Sequence, residues 1–115
     1  MTGELPAGHV ARAALGETRR LVVKIGSRSL MADGTKRYES LARQLSGQRA
    51  QGRHPVLVSS GAVAVGRLRL GMTERPKAMD RLQAAAATGQ SRLMRAYEDA
   101  FEKHGVNVAQ VLFTH

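Results

Sequence analysis

The sequence predicts an α/β fold built on a mostly parallel sheet, and three observations carry that prediction. Leu21-Val22-Val23-Lys24-Ile25 and Val56-Leu57-Val58-Ser59 are short apolar runs that stop abruptly at small residues. A pattern with helical spacing follows each run. The stretches between the runs are long enough for the crossover connections that parallel strands require. In such sheets ligands bind at the carboxyl ends of the strands, which directs attention to the turns at Gly26 and Ser60.

Taken in order, residues 1–19 hold Gly, Pro, Ala and Arg without a stable period and are expected to form a flexible extension. The domain is expected over residues 20–115. The first strand, residues 21–25, is apolar almost throughout, as in strands covered on both faces. Lys24 breaks the run and needs either an anionic partner or a path to water. Gly26-Ser27-Arg28-Ser29 forms the first turn, where a glycine lets the backbone approach a ligand and the serines add donors. Residues 30–36 read as a loop, with Asp33-Gly34 as a turn signal.

A helix is predicted over residues 38–50, with Tyr38, Leu41, Ala42 and Leu45 on one face and Gly47 as a weak point. Gly52 is placed to cap it. Pro55 precedes the second strand, residues 56–59, where its missing N–H does little harm. Ser60-Gly61-Ala62 leads into a helix over residues 62–70 that Gly71 terminates. A serine there can cap the helix, and the same amides suit a carboxylate or phosphate. Residues 77–103 carry the longest helical signal, through Met79, Leu82, Ala86, Leu93, Met94, Tyr97 and Phe101. The small residues Ala84 to Ala87 allow close helix approach, and Thr88-Gly89 marks a potential break. Gln83 and Gln90 share a face, as interface contacts or as a solvated edge. His104-Gly105 closes the helix. A third strand is predicted over residues 106–113, giving the order β-α-β-α-α-β.

Bulk properties narrow the function classes. A chain of 115 residues suits one modest domain. The absence of cysteine excludes a disulfide scaffold and a cysteine-based zinc site, and His9, His54, His104 and His115 lack metal-ligand spacing, so no metal ligand is assigned. No apolar run approaches the roughly 20 residues that span a bilayer. Residues 1–14 lack a sustained apolar core and include Glu4, which argues against a secretory signal and for a cytoplasmic protein. The net charge of +9 suits an anionic ligand or nucleic acid, or a piece of a better balanced chain. Its basic residues are dispersed, and two Tyr and two Phe are too few for a base-stacking platform, so nucleic acid is not the expected partner.

Several motifs fail on inspection. Gly61 to Gly66 has the spacing that opens a P-loop, but Arg67-Leu68 follows where Lys and Ser or Thr belong. No Gly-x-Gly-x-x-Gly follows a strand, and Ser60 does not sit in a Gly-x-Ser-x-Gly elbow. Two plain readings stand beside the functional ones. Lys24 can be a strand-end lysine that reaches water, or a fixed cation for a transferring phosphoryl group. Ser60-Gly61 can be a helix cap or an anion site.

Together these residues resemble the amino-acid kinase family and, within it, the glutamate 5-kinases. The resemblance rests on Val-Val-Lys-Ile-Gly-Ser at 22–27 and Val-Ser-Ser-Gly-Ala-Val-Ala-Val-Gly at 58–66. It continues through Leu70-Gly71, Gln83 to Gln90, Leu93-Met94 and residues 108–112. It implies a three-layer αβα sandwich and transfer of the γ-phosphoryl of ATP, with phosphate-bound Mg2+, to the side-chain carboxylate of L-glutamate. The product is glutamyl 5-phosphate, the first intermediate of proline biosynthesis. By resemblance, Lys24 contacts ATP phosphate and stabilises the transition state, Gly26 and Ser27 donate to phosphate, and Ser60, Gly61 and Ala62 bind glutamate. A homo-oligomer is implied for the complete protein.

Two departures accompany the resemblance. Arg28 stands where these kinases commonly have a small hydroxyl residue. Family domains are also more than twice this long, and the part that supplies further glutamate ligands, a second lysine and the nucleotide segment is not in this sequence. The 115 residues are therefore expected to be the N-terminal portion of such a domain, inactive or nearly so alone. The alternatives are a non-enzymatic interaction module and the kinase portion of a bifunctional pyrroline-5-carboxylate synthase.

Overall fold

A computed structural model of the chain describes residues 16–113. Most of the extension expected over residues 1–19 therefore lies outside the described residues. Within residues 16–19, the Arg53 guanidinium donates to the carbonyls of Gly16 and Thr18, and the His54 amide donates to the Arg19 carbonyl.

The elements are β1 (Arg20–Ile25), α1 (Ser27–Met31), α2 (Lys36–Ala50), β2 (His54–Ser59), α3 (Ala62–Leu70) and α4 (Met79–Glu102). β1 and β2 pair in parallel, with Arg20 opposite His54 and Ile25 opposite Ser59. The α/β class and the parallel pairing expected from the sequence are both present. The equal register brings both strands to their carboxyl ends side by side.

Side chains alternate across a strand, and the alternation is plain here. Leu21, Val23 and Ile25 of β1 and Pro55, Leu57 and Ser59 of β2 turn toward the helices. Val22, Lys24, Val56 and Val58 turn the other way and are exposed, Val22 by 67%. Among the described residues only one sheet face is covered, which corrects the expectation that the first strand is covered on both. A run of valines does not itself distinguish the two cases, because Val suits a strand on either face.

The core lies between that face and the helices α2 and α4. It gathers Ile25, Leu30, Tyr38, Ala42, Leu45, Leu93, Tyr97, Ala100 and Phe101. α2 begins two residues before its predicted start and buries Tyr38, Ala42 and Leu45 as the spacing foretold. α4 runs without a break through Thr88-Gly89 and buries Ala85, Gly89, Leu93 and Tyr97, a stripe with a period of four. Met79, predicted on the apolar face, is 67% exposed. Lys103 Nζ lies 3.1 Å from Glu39 Oε1 and ties the end of α4 to α2.

Two segments differ from expectation. Residues 27–31 form α1 rather than a turn and loop, because Leu30 folds into the core and is fully buried. Residues 106–113 form no strand. The sheet among the described residues has two strands, and this segment makes no ladder with either. Val106 and Val108 pack against the core, but Val111, Leu112 and Phe113 are exposed by 71%, 70% and 92%. A strand is defined by a neighbour, and apolar composition alone does not supply one. Among the described residues, no helix is long and apolar enough to cross a membrane.

Candidate functional site

The two turns beyond β1 and β2 form one structure. The Ser60 amide donates to the Ile25 carbonyl at 3.3 Å, which extends the strand pairing by one residue into the turns. A Cβ built on Gly61 would lie 3.6 Å from both the Leu30 Cδ2 and the Ser27 Cβ. The β2–α3 turn thus rests on α1, with Ser27 beneath Gly61. Gly61 has φ +132°, a conformation that side chains with a Cβ rarely adopt. The parallel pairing of the strands brings residues 27 and 61, far apart in sequence, next to each other.

The first turn of α3 is not capped by a side chain, although two serines precede it. Its N-cap is Gly61, with no side-chain hydrogen bond to the helix. Ser60 Oγ instead faces the Ile25 carbonyl at 3.5 Å, the limit of a hydrogen bond. Ser59 Oγ lies 2.8 Å from the Tyr97 hydroxyl and 3.3 Å from the Ser60 carbonyl. The capping reading of Ser60 is therefore not realised. The N-terminal amides of α3 keep their donors and the positive end of the helix dipole.

Close backbone contact fixes α3 in place. A Cβ on Gly89 would lie 1.6 Å from the Ala62 carbonyl oxygen, and one on Gly66 would lie 1.7 Å from the Ala85 carbonyl oxygen. Each helix sets a glycine against the other's backbone. The small-residue patch that the sequence marked for close approach thus serves to seat α3 on α4, and Ala62 at the start of α3 is one of the contact points.

Lys24 is exposed on the uncovered sheet face, opposite Val58 in the register. It has no hydrogen-bond or ion-pair partner among the described residues. Gly26 has φ −82°, and a Cβ there would meet nothing within 4 Å, so the space beside it is open. Arg28 is exposed on α1. Residues 25–30 and 59–64 contain Arg28 and no acidic residue, so the charge these turns carry is positive. The structure brings Ser27, Ser60, Gly61 and Ala62 together, whereas Lys24 occupies the opposite sheet face from Ile25 and Ser59. Among the described residues no group of three His, Cys, Asp or Glu side chains is placed to hold a metal ion.

Sequence reasoning missed Ser59 and Tyr97 as parts of this site. Tyr97 is 5% exposed and its ring meets that of Tyr38 edge-on, with centroids 5.0 Å apart. Burial pushes both tyrosine hydroxyls above their ordinary pKa, and for Tyr97 the Ser59 hydrogen bond opposes the rise. The available signal was that a buried tyrosine hydroxyl requires a partner. A serine ending an otherwise apolar strand was a candidate for it.

These features invite comparison with known proteins. Residues 19–115 match the model of the amino acid kinase family. The chain belongs to that family. Three amino acid kinase relatives show how near the likeness is. The "Glutamate 5-kinase" of Thioalkalivibrio sulfidiphilus is 53% identical over 108 residues, which cover 90% of this chain and 29% of the relative. The "Glutamate 5-kinase" of Azoarcus sp. is 49% identical over 108 residues, with the same coverage. That of Pelobacter propionicus is 50% identical over 107 residues, again covering 90% and 29%. The chain thus spans less than a third of the length of the curated amino acid kinases it matches.

Proposed function

We propose that this chain is part of an enzyme that transfers the γ-phosphoryl of ATP to the side-chain carboxylate of L-glutamate, forming glutamyl 5-phosphate for proline biosynthesis in the cytoplasm. The observation that carries this reading is the joined pair of turns at the carboxyl ends of parallel strands, positive and lacking a side-chain cap on α3. Both substrates are anions, and such a mouth suits them. The names of the relatives supply the acceptor.

In this reading Ser60, with the amides of Gly61 and Ala62, binds glutamate. The open side of Gly26 and the hydroxyl of Ser27 receive phosphate. Lys24, one residue before the end of β1 and without an ion-pair partner among the described residues, supplies a cation to the phosphoryl oxygens, whose charge is spread in the transition state. ATP brings the phosphoryl group together with its phosphate-bound magnesium. No covalent enzyme intermediate is required, so these residues act by positioning and charge stabilisation. An acyl phosphate reacts with hydroxylamine to a hydroxamate. Complete protein carrying this chain is expected to form γ-glutamyl hydroxamate only when ATP and L-glutamate are both present. Absence of this hydroxamate when ATP, L-glutamate and hydroxylamine are all supplied would overturn the reading.

The exposed apolar face of Val22, Val56 and Val58 favours a second reading, in which the segment acts as an interaction module within a homo-oligomer. A complete protein that remains monomeric at high concentration in a light-scattering measurement would remove that reading.

A further inference from the structure

Tyr97 lies 38 residues from Ser59 in sequence, on a different element, yet their hydroxyls are 2.8 Å apart. Either hydroxyl can be the donor of that bond. Ser59 Oγ also lies 3.3 Å from the Ser60 carbonyl oxygen, which can only accept. Ser59 Oγ therefore links the Tyr97 hydroxyl to the Ser60 C=O in one hydrogen-bonded chain.

That last carbonyl belongs to the peptide joining Ser60 to Gly61. No described peptide bond is cis. In a planar trans peptide the C=O and N–H point in opposite directions. Holding the Ser60 carbonyl therefore holds the Gly61 N–H, and Gly61 is otherwise a residue with wide conformational freedom. Tyr97 itself is well fixed: it is buried, its ring is set edge-on against Tyr38 with planes at 67°, and it lies in the core stripe of α4.

We propose that Tyr97 is a positioning residue that, through Ser59, aims the Gly61 amide at the bound substrate carboxylate. The substrate assignment rests on the function proposed above, whereas the orientation of the Gly61 amide does not. Tyr97 touches no reacting atom. Its role is to keep one backbone donor aligned before the substrate arrives, which limits the ordering that binding must otherwise supply.

Two measurements test this. In the first, the Gly61 amide resonance of complete protein carrying this chain is compared among wild type, Tyr97→Phe, Ser59→Ala and Ser59→Thr. Tyr97→Phe keeps the ring and removes the hydroxyl. The Gly61 amide resonance is expected to move in Tyr97→Phe and Ser59→Ala and to return toward its wild-type position in Ser59→Thr, which restores a hydroxyl. An unmoved Gly61 resonance in Tyr97→Phe would overturn the proposal. The second measures steady-state kinetics of complete protein carrying the same variants. Tyr97→Phe and Ser59→Ala are each expected to raise the glutamate KM about tenfold, a typical loss for a hydrogen bond to a charged group. The ATP KM and kcat are expected to stay near wild type, and the double variant to match the worse single one, as members of one chain do. A lowered Tm with an unchanged glutamate KM would reduce Tyr97 to a structural residue and overturn the positioning role. A moved Gly61 resonance in a protein that does not act on glutamate would instead retain the relay and remove the assigned substrate.

Discussion

Gly89 of α4 lies flat against Ala62 of α3, so that a Cβ on Gly89 would fall 1.6 Å from the Ala62 carbonyl oxygen. Gly66 repeats the relation in reverse toward Ala85. Two helices that approach this closely leave no space for side chains between their backbones, and the start of α3 is thereby fixed relative to the sheet. The location of Ser60, Gly61 and Ala62 depends on this contact as much as on the strand that precedes them.

Gly89→Ala should therefore be severely destabilising, although alanine is the better helix former. The clash is with main chain, which cannot swing away. Overpacking of a tight core costs about 1–3 kcal/mol and occasionally more, and a 1.6 Å approach belongs at the upper end. Thermal unfolding should show a clearly lower Tm. An unchanged Tm would mean that α3 and α4 pack differently.

Gly47→Ala should act with the opposite sign. Gly47 is exposed within α2, and a Cβ there meets nothing within 4 Å. Replacing glycine by alanine inside a helix is worth about 0.8–1.0 kcal/mol, so the same unfolding measurement should give a higher Tm. Together the pair separates helix propensity from packing, because the same substitution is made twice in helices.

The buried tyrosines predict a loss of stability in alkali. Burial raises the pKa of Tyr97 and Tyr38 above the ordinary value of 10.0, so the folded chain holds these protons more tightly than the unfolded chain. Their contribution is complete below about pH 10 and disappears as the pH rises through the folded pKa values. Tm measured from neutral pH upward should fall beyond about pH 10. The Tyr38→Phe/Tyr97→Phe double variant should fall less steeply, and an equal slope would contradict the assignment.

Ser60→Ala should weaken glutamate binding with little change in the ATP KM. A hydrogen bond to a charged group contributes about 1.5–3 kcal/mol, so the glutamate KM should rise about tenfold to a hundredfold. An effect confined to ATP would place Ser60 on the nucleotide side of the site.

Much of this arrangement is legible in the sequence because it is periodic or local. Apolar runs ending at Ile25 and Ser59 mark both strands, and the spacing of Tyr38, Ala42 and Leu45 marks the buried face of α2. The small residues around Ala85 and Gly89 announce a close helix contact without naming its partner. The misses have physical causes. α1 is five residues long, too short to display a helical period. The segment 106–113 is apolar like a strand, but a strand forms only where a neighbour offers a ladder. The uncovered faces of Val22, Val56 and Val58 follow from which layers surround the sheet, and composition does not encode that. The Ser59–Tyr97 bond joins positions 38 residues apart, so no local pattern contains it. It becomes visible only once the end of β2 and the buried face of α4 meet.

In the proposed function the joined turns after β1 and β2 belong to a site for phosphoryl transfer to glutamate, with Lys24 as its cation. The most direct measurement is hydroxylamine-trapped acyl phosphate formation by complete protein carrying this chain, wild type against Lys24→Ala. Wild type is expected to give ATP- and glutamate-dependent product, and Lys24→Ala a kcat lowered at least about a hundredfold, as for other electrostatic groups at a transferring centre. Undiminished turnover in Lys24→Ala, or no glutamate-dependent product from wild type, would contradict it.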